Sequence, residues 1–331
     1  MKDSPLTLSD IRREVIAAGA YSCGVVEAQP VSPGAAARYE SWLAGGNAGE
    51  MDYLDRYAEV RRDPRLLLDD EGAKTLIVTL FAYEDHVDTP PGVPYIARYA
   101  LGTDYHEVLR RRLKGAIAAL RQRAGGKWRV CVDSAPLMER YWAARAGLGV
   151  IGDNGYLIVP GVGANFFIAT IVTTAALPTD IPVEGPPRCR GCGCCVRACP
   201  TGALHADGTV DARRCLSYLT IEYHGDIPAD IPAGNTLYGC DACRKACPMA
   251  RPAKAPQEGH EAFQGQTAPT PPAVLPEFAP DPRLVSMTAA DWLALDEAGY
   301  AALTAHSPMR RATLAKLHST LRHLRKAMPG G

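Results

Sequence analysis

CRGCGCCVRACP, residues 189–200, places five cysteines within twelve positions. The chain has eleven cysteines, nine of which lie between Cys189 and Cys247; only Cys23 and Cys131 lie outside. A chain of 331 residues that is 47% hydrophobic can bury its own core and does not need disulfides for stability. Cysteines clustered in this way are therefore more typical of metal binding than of disulfide bonding.

The spacing of these cysteines predicts two [4Fe–4S] clusters. The first run reads C-x2-C-x2-C-x3-C-P, the bacterial ferredoxin pattern, in which the fourth cysteine ligates the other cluster. A second run, CDACRKACP at 240–248, also ends in Cys-Pro but lacks one early cysteine, which Cys215 in DARRCLSYLTIE can replace. The first predicted ligand set is Cys189, Cys192, Cys195 and Cys247, and the second is Cys199, Cys215, Cys240 and Cys243. Zinc is the alternative for paired C-x2-C motifs, although it does not account for the prolines.

The rest of the chain predicts an α+β protein with three parts. Residues 1–180 alternate buried strands, such as KTLIVTLFAY at 74–83, with amphipathic helices, such as DYHEVLRRRLKGAIAALRQRA at 104–124. The proline-rich PTDIPVEGPP at 178–187 separates them from the cysteine module, predicted at 181–255. Residues 256–331 are predicted to be a Pro-rich linker followed by a helical tail.

The tail is basic in a chain whose formal net charge is zero. Two helices are predicted there. TAADWLALDEAGYAAL begins at a capping box formed by Thr288 and Asp291. PMRRATLAKLHSTLRHLRKAM, from Pro308, places four leucines on one face: Leu314, Leu317, Leu321 and Leu324. Six Arg and Lys residues and no acid lie between Arg310 and Lys326. The sequence leaves open whether this is a solvated helix face or a surface that contacts phosphates. No apolar run approaches the roughly 18 residues of a membrane helix, so we expect a cytoplasmic protein without membrane contact.

Two further motifs have competing interpretations. GLGVIG at 147–152 matches the dinucleotide fingerprint, but a predicted helix precedes it and a strand follows, which is the reverse of the required order. Asp133 ends the predicted strand WRVCV, and the following Pro136 suits the first turn of a helix. Asp133 could therefore be a helix cap or a functional carboxyl at a strand end, where ligand sites of α/β proteins usually lie.

Several long motifs together resemble the epoxyqueuosine reductase family, which performs the final step of queuosine synthesis in tRNA anticodons. The motifs are DPRLLL, RYALGTDYHEVLRRRL, DSAPLMERYWAARAGLGVIGDN, CPTGAL, DARRCLSYLTIE and YGCDACRKACP. They occur in the family's order and cover most of residues 10–250, and the basic tail matches as well. The chain departs from the family pattern at Asp153, where lysine is usual, and at FFIAT (166–170), where the family reads F-L-G-E.

The resemblance implies a nitroreductase-like cobalamin-binding domain followed by a ferredoxin-like module. In the family, two [4Fe–4S] clusters reduce cobalamin, bound as cob(II)alamin, and the epoxide becomes an alkene with loss of its oxygen as water. The resemblance assigns the proton donor to Asp133, whose pKa we expect an apolar corrin to raise. Residues in segments that line the corrinoid are Arg56, Asp133, Arg140, Asn154, Ile158, Ser217 and Asp241.

The resemblance also implies partners: a tRNA anticodon stem-loop and an electron donor protein or reductant, for a chain expected to be a monomer. Two other functions fit the motifs less completely. One is a corrinoid iron–sulfur reductase of another substrate, similar to dehalogenases. The other is a ferredoxin-type electron-transfer protein, which would leave the N-terminal domain and Asp133 without a role.

Overall fold

A four-stranded antiparallel sheet forms the centre of the computed structural model, which describes residues 5–68, 72–184, 189–250 and 272–327. Its strand order is β1-β2-β7-β4. Every residue of TLIVTLFA in β2 is buried, as expected for a central strand covered on both faces. Val78 of β2 pairs with Gly24 of β1 on one side and Thr170 of β7 on the other.

Short helices and strands follow one another along most of the described chain. The strands are β1 (Ser22–Glu27), β2 (Thr75–Ala82), β3 (Tyr95–Ile96), β4 (Trp128–Cys131), β5 (Val150–Ile151), β6 (Leu157–Ile158), β7 (Phe166–Thr173) and β8 (Thr236–Tyr238). The helices are α1 (Leu8–Ala17), α2 (Pro33–Ala44), α3 (Tyr53–Arg56), α4 (Ala58–Arg62), α5 (Tyr105–Ala124), α6 (Glu139–Arg145), α7 (Cys194–Arg197), α8 (Leu216–Ile221), α9 (Ala242–Lys245), α10 (Ala289–Ala294), α11 (Glu297–Thr304) and α12 (Leu314–Ala327). Within the described ranges, no helix combines the length and apolar composition that a membrane span requires.

Helices cover both faces of the sheet because successive strand residues point to opposite sides. On one face, Ile77 and Phe81 pack with Ile11 of α1 and Leu109 of α5. On the other face, residues of β2 pack with Trp142 of α6. The mixed α/β architecture predicted from the sequence is confirmed.

α6 lies so close to β1 that only glycine fits at position 24. A Cβ atom there would lie 2.5 Å from the carbonyl oxygen of Ala146, at the end of α6. This close approach places the start of α6, with Glu139 and Arg140, at the edge of the sheet where β4 ends. The predicted helix start at Pro136 is wrong: residues 133–138 form an irregular turn, and α6 begins at Glu139.

The tail helices pack against the cysteine module. Trp292 of α10 and Leu317 of α12 are fully buried in a core shared with Leu219 of α8 and Leu237 of β8. Strand β8 pairs in parallel with β3, which joins this core to the segment before α5. Leu314, Leu317, Leu321 and Leu324 are all buried, as their helical spacing predicted.

The first predicted tail helix is two helices, α10 and α11. The break falls at Leu295 and Asp296, where Asp296 caps α11 by accepting a hydrogen bond from the Gly299 amide at 2.7 Å. A local cap therefore outweighs the continuous helical pattern. The predicted capping box of Thr288 and Asp291 is confirmed at the start of α10. The predicted linker lies largely in 251–271, outside the described residues.

Candidate active site

Asp133 lies in the turn between β4 and α6 in a conformation that few residues adopt. Among the described residues it is the one non-glycine residue with positive φ, at 52°. Its amide donates to Glu139 Oε1 at 2.8 Å. The side chain caps no helix, because the N-cap of α6 is Met138 and makes no side-chain hydrogen bond. Of the two roles that the sequence left open, the cap is wrong.

Two side chains from the start of α5 stand behind the Asp133 carboxylate. The Tyr105 hydroxyl donates to Asp133 Oδ2 at 2.9 Å, and His106 Nε2 lies 3.6 Å from the same oxygen. The Asp133 side chain nevertheless remains 65% exposed. The carboxylate therefore presents its other side to an open surface, where a ligand could contact it.

These neighbours set the charge of the Asp133 carboxyl. Partial desolvation raises its pKa, but hydrogen bonds with His106 and Tyr105 outweigh this and hold the pKa below its ordinary value. His106, which comes from the start of α5, is thus the main neighbour that lowers this pKa, and the rise expected against an apolar corrin stays a prediction. Burial, reinforced by the charge of Asp133, raises the pKa of Glu139 to about 8.

Electrostatic interactions relate Asp133 to the cysteine module. The charge of Arg140 acts on Asp133, and its guanidinium lies 5.7 Å from the ring centre of Tyr156. Burial raises the pKa of Tyr156 well above its ordinary value, and the nearby charges of Asp241 and Cys243 raise it further. Asp133 and Cys243 are thus related through the charge of Arg140 and the ring of Tyr156, which lie between them in this series of interactions.

The other predicted corrinoid contacts are divided between the surface and the interior. Arg56 is exposed on α3, and Ser217 is partly buried on α8 beside Cys215. Asn154 and Ile158 are buried, and the Asn154 amide donates to the Cys243 carbonyl at 3.1 Å. Asp241 is also buried and accepts hydrogen bonds from the following groups: Tyr95 Oη at 2.7 Å, the Arg98 amide at 2.9 Å and Arg244 Nε at 3.0 Å. In this structure Asp133 and Arg140 lie together at the surface, whereas Asn154, Ile158 and Asp241 lie beneath it.

The first predicted set of cluster ligands surrounds a single cavity. Its lining includes Cys189, Cys192, Cys195 and Cys247, together with Cys194, Asn154 and Ile158. The Asp153 amide donates to Cys189 Sγ at 3.4 Å, a hydrogen bond of the kind that stabilises a thiolate. This donor set fits an iron–sulfur cluster, and Asp153, one of the two departures from the family pattern, lies at its edge.

The second predicted set is also gathered in one place. Burial raises the pKa of Cys243 to about 12, and the charges of Cys240, Cys215 and Cys199 raise it as well. Cys240 in turn responds to Cys215 and Cys199. Thiols from three separate segments thus lie near Cys243, which fits a cross-ligated second cluster, and the charge of Cys195 from the first set acts on Cys243 as well.

Sequence reasoning missed Arg244, which lies between two predicted ligands on α9. It is 1% exposed, and it bonds to Asp241 at 3.0 Å, to Asp85 at 2.6 Å and to Asn165. Sequence reasoning also missed the roles of Tyr105 and His106, although both lie in the motif RYALGTDYHEVLRRRL. The signal for His106 is the preceding Asp104, which caps α5 and binds the imidazole.

Three of the basic tail residues form bonds within the chain. Arg310 pairs with Asp104 at 3.0 Å, Arg311 pairs with Glu222 at 2.8 Å, and Lys316 donates to the Gly225 carbonyl at 2.6 Å. Arg322 and Arg325 are exposed on α12. Only part of the charge concentration is therefore a freely solvated helix face.

The sequence patterns of two protein families match parts of the chain. Residues 188–250 match the 4Fe-4S double cluster binding domain, and this range holds every cysteine of the two predicted sets. Residues 61–134 match the family described as Epoxyqueuosine reductase QueG, DUF1730, and this range ends one residue after Asp133.

The relatives extend this match over nearly the whole chain. The chain is 33% identical over 318 residues to the epoxyqueuosine reductase of Cellulophaga algicola, covering 95% of this chain and 97% of that protein. This chain belongs to the epoxyqueuosine reductase family. It is also 39% identical over 246 residues to the epoxyqueuosine reductase of Cyclobacterium marinum, covering 73% of this chain and 77% of that one. The resemblance seen in the sequence is confirmed, and with it the prediction of an oxidoreductase.

Solved structures of epoxyqueuosine reductases share the fold. One, bound to an epoxyqueuosine-modified tRNA-Tyr stem loop, matches with a TM-score of 0.78 and 26% identity over 96% of this chain and 82% of that chain. Another, from Bacillus subtilis, has the loop of its catalytic aspartate swung out of the active site; it matches with a TM-score of 0.76 and 26% identity over 95% of this chain and 82% of that chain.

Proposed function

We propose that this chain reduces epoxyqueuosine to queuosine at the wobble position of a tRNA anticodon. The observation that carries the proposal is the position of Asp133. Its carboxylate is 65% exposed and lies under the charge of Arg140, whose guanidinium is 5.7 Å from the ring centre of Tyr156, a residue that responds to the charge of Cys243. An acid group and the predicted source of electrons thus lie in one region of the molecule, as the reduction of an epoxide requires. Family membership supplies the substrate.

The cofactors follow from the same surface. We assign the two cysteine sets to two [4Fe–4S] clusters and the surface over Asp133 to cobalamin, held as cob(II)alamin. The residues proposed to hold cobalamin are Arg56, Arg140, Asn154, Ile158, Ser217 and Asp241. Cobalamin bound there would supply a strongly reducing cobalt centre. Asn154, Ile158 and Asp241 lie beneath this surface, so we propose that they hold in place the backbone against which cobalamin would pack.

Asp133 donates a proton to the epoxide oxygen as the C–O bond breaks. Glu139 holds the Asp133 turn through the backbone amide, and Tyr105 orients the carboxylate. The exposed Arg322 and Arg325 of α12 are the candidates among the described tail residues for contacts to tRNA phosphates. The target base would have to leave its stack to reach Asp133.

Several finer predictions belong to this proposal. They are a nitroreductase-like first domain, the bounds 1–180, 181–255 and 256–331, a monomeric and cytoplasmic protein, and an electron donor protein or reductant as partner. A tRNA substrate is consistent with the cytoplasmic location.

The test is anaerobic reconstitution with iron, sulfide and cobalamin, followed by reaction with tRNA that carries epoxyqueuosine. Nucleoside mass spectrometry measures the queuosine formed. Asp133→Asn keeps a side chain that tolerates positive φ and still accepts from Tyr105, but it cannot donate a carboxyl proton. We expect the variant to bind and reduce cobalamin as the wild type does and to form queuosine about 100-fold or more slowly.

The matched control is Asp281→Asn, at a carboxylate bonded to its neighbour Arg283, and it should retain full activity. If the wild type binds and reduces cobalamin but forms no queuosine, the tRNA assignment is wrong. Asp153 and the FFIAT stretch (166–170) would then be the first places to examine for another substrate, because they depart from the family pattern. The Asp153 amide bonds to Cys189, and Phe167 of the stretch stacks on Tyr105.

A further inference from the structure

Tyr105 and His106 lie behind the Asp133 carboxylate and indicate how Asp133 obtains the proton that it donates. This inference rests on the proposed function. Converting an epoxide to an alkene and water consumes two electrons and two protons, and both protons end on the departing oxygen. Asp133 Oδ2 accepts a hydrogen bond from the Tyr105 hydroxyl and lies 3.6 Å from His106 Nε2. The pKa of Asp133 lies below its ordinary value. At neutral pH the carboxyl is therefore an anion and has no proton to give until one reaches it.

His106 is held in the orientation that a proton supply needs. Asp104, only 2% exposed, accepts from the His106 amide at 2.9 Å and lies 2.7 Å from its Nδ1. This pair directs the other ring nitrogen, Nε2, toward Asp133 Oδ2 at 3.6 Å. The other Asp104 oxygen lies 3.0 Å from Arg310, so the partner of the imidazole is itself fixed.

The charges facing the imidazole favour its cationic form. Burial lowers the pKa of His106, but the carboxylates of Asp104 and Asp133 outweigh burial and raise it to about 9. The Tyr105 ring stacks on the imidazole at 4.1 Å, and Glu139 lies behind the Asp133 turn. Arg310 approaches from the far side of Asp104. The resting site thus holds a proton on the His106 imidazole, whose Nε2 faces the Asp133 carboxylate.

We propose that His106 supplies the protons that Asp133 donates. When substrate covers the exposed carboxylate, a buried ion pair becomes less favourable than a neutral pair. The His106 Nε2–H bond then breaks and an O–H bond forms on Asp133, which passes this proton to the substrate oxygen. His106, whose side chain is 22% exposed, regains a proton from solvent, and the second proton follows the same route. His106 acts through Asp133 and does not touch the substrate.

The first test is the pH profile of queuosine formation in a single turnover of prereduced holoenzyme. The wild-type rate should be level near neutral pH and fall as the pH rises through about 9, because His106 then loses its proton. His106→Gln should react at least tenfold more slowly and show no fall in that range. Asp104→Asn keeps the cap of α5 but removes the negative charge, so the fall should move to lower pH.

The matched control is His306→Gln. His306 is an exposed imidazole whose Nδ1 lies 3.1 Å from Glu107, on the same side of α5 but without contact to Asp133. Its substitution should leave the wild-type profile unchanged. A His106→Gln enzyme with the wild-type rate and profile would overturn the proposal.

A second measurement does not depend on activity. The imidazole Cε1–H resonance of His106 can be followed by NMR against pH in the full chain with oxidised clusters, assigned by comparison with His106→Gln. We expect the pKa of His106 to lie well above the ordinary histidine value of about 6.5. This pKa should be lower in Asp104→Asn and in Asp133→Asn. If His106 of the wild type titrates at the ordinary histidine pKa, the proposal that His106 supplies the protons is wrong. A wild type that makes no queuosine would instead refute the proposed function, and the titration would still decide the state of His106.

Discussion

At the scale of single residues, Glu139 links the conformation of the Asp133 turn to pH. Its pKa of about 8 lies above the value of an unfolded glutamate, so the folded chain binds this proton more tightly. This contribution to stability is complete below about pH 4.5 and is lost as the pH rises toward 8. Glu139→Gln keeps an acceptor for the Asp133 amide and cannot ionise. Between pH 5 and 8.5 we expect the wild type to lose about 1–3 kcal/mol more unfolding free energy than the variant.

Anaerobic urea unfolding of both proteins over this pH range measures the difference. Glu297→Gln, on the exposed first turn of α11, should follow the wild type. Parallel pH dependence of the wild type and Glu139→Gln would show that the carboxyl is ionised in the folded protein at neutral pH.

At the scale of elements, α12 stabilises the cysteine module through a shared core. Leu317 is fully buried and packs in the cluster of apolar residues against which Cys215 and Cys240 also lie. Leu317→Ala leaves a cavity beside β8 and α8, and we expect it to lower the unfolding free energy by about 2–5 kcal/mol. The exposed Arg322→Ala on the same helix should change it by less than about 0.5 kcal/mol. Equal unfolding midpoints for the two variants would contradict the shared core.

The same core predicts the order in which the clusters are lost. Cys215 and Cys240 belong to the second predicted ligand set, whereas Cys247 of the first set packs in a different cluster, with Ile158 and Ala164. Iron released during anaerobic unfolding of Leu317→Ala should therefore come first from the set that contains Cys215 and Cys240, as spectroscopy of the remaining cluster would show.

At the scale of the whole molecule, Arg244 connects the cysteine module to the central sheet. It reaches from α9 to Asp85, beyond the end of β2, and to Asn165, before the start of β7. Arg244→Met leaves the buried Asp241 without its cation, and we expect a loss of about 3–5 kcal/mol of unfolding free energy. The neighbouring Lys245→Met loses only a cation–π contact to Tyr95 at 4.4 Å, a change of about 0.5–1 kcal/mol. Similar stability of both variants would refute this role of Arg244.

Much of the site could be predicted because its groups are close together in sequence. The cysteine pattern needs only spacing, since a loop of fixed length presents thiolates at fixed separations. The capping box at Thr288 is equally local, and it is present in the structure. The start of α6 was predicted wrongly because Pro136 can precede a helix as well as begin one.

The sequence by itself determined the family, the two sets of cysteines and the identity of Asp133 as the candidate acid. Only the tertiary structure decided the charge of Asp133, because Tyr105 and His106 come from the start of α5 and Glu139 comes from α6. The same holds for Arg244, whose partners Asp85 and Asn165 are remote in sequence. A pKa depends on the charges and the solvent within a few ångströms, and no periodicity or spacing encodes which distant side chains the fold brings there.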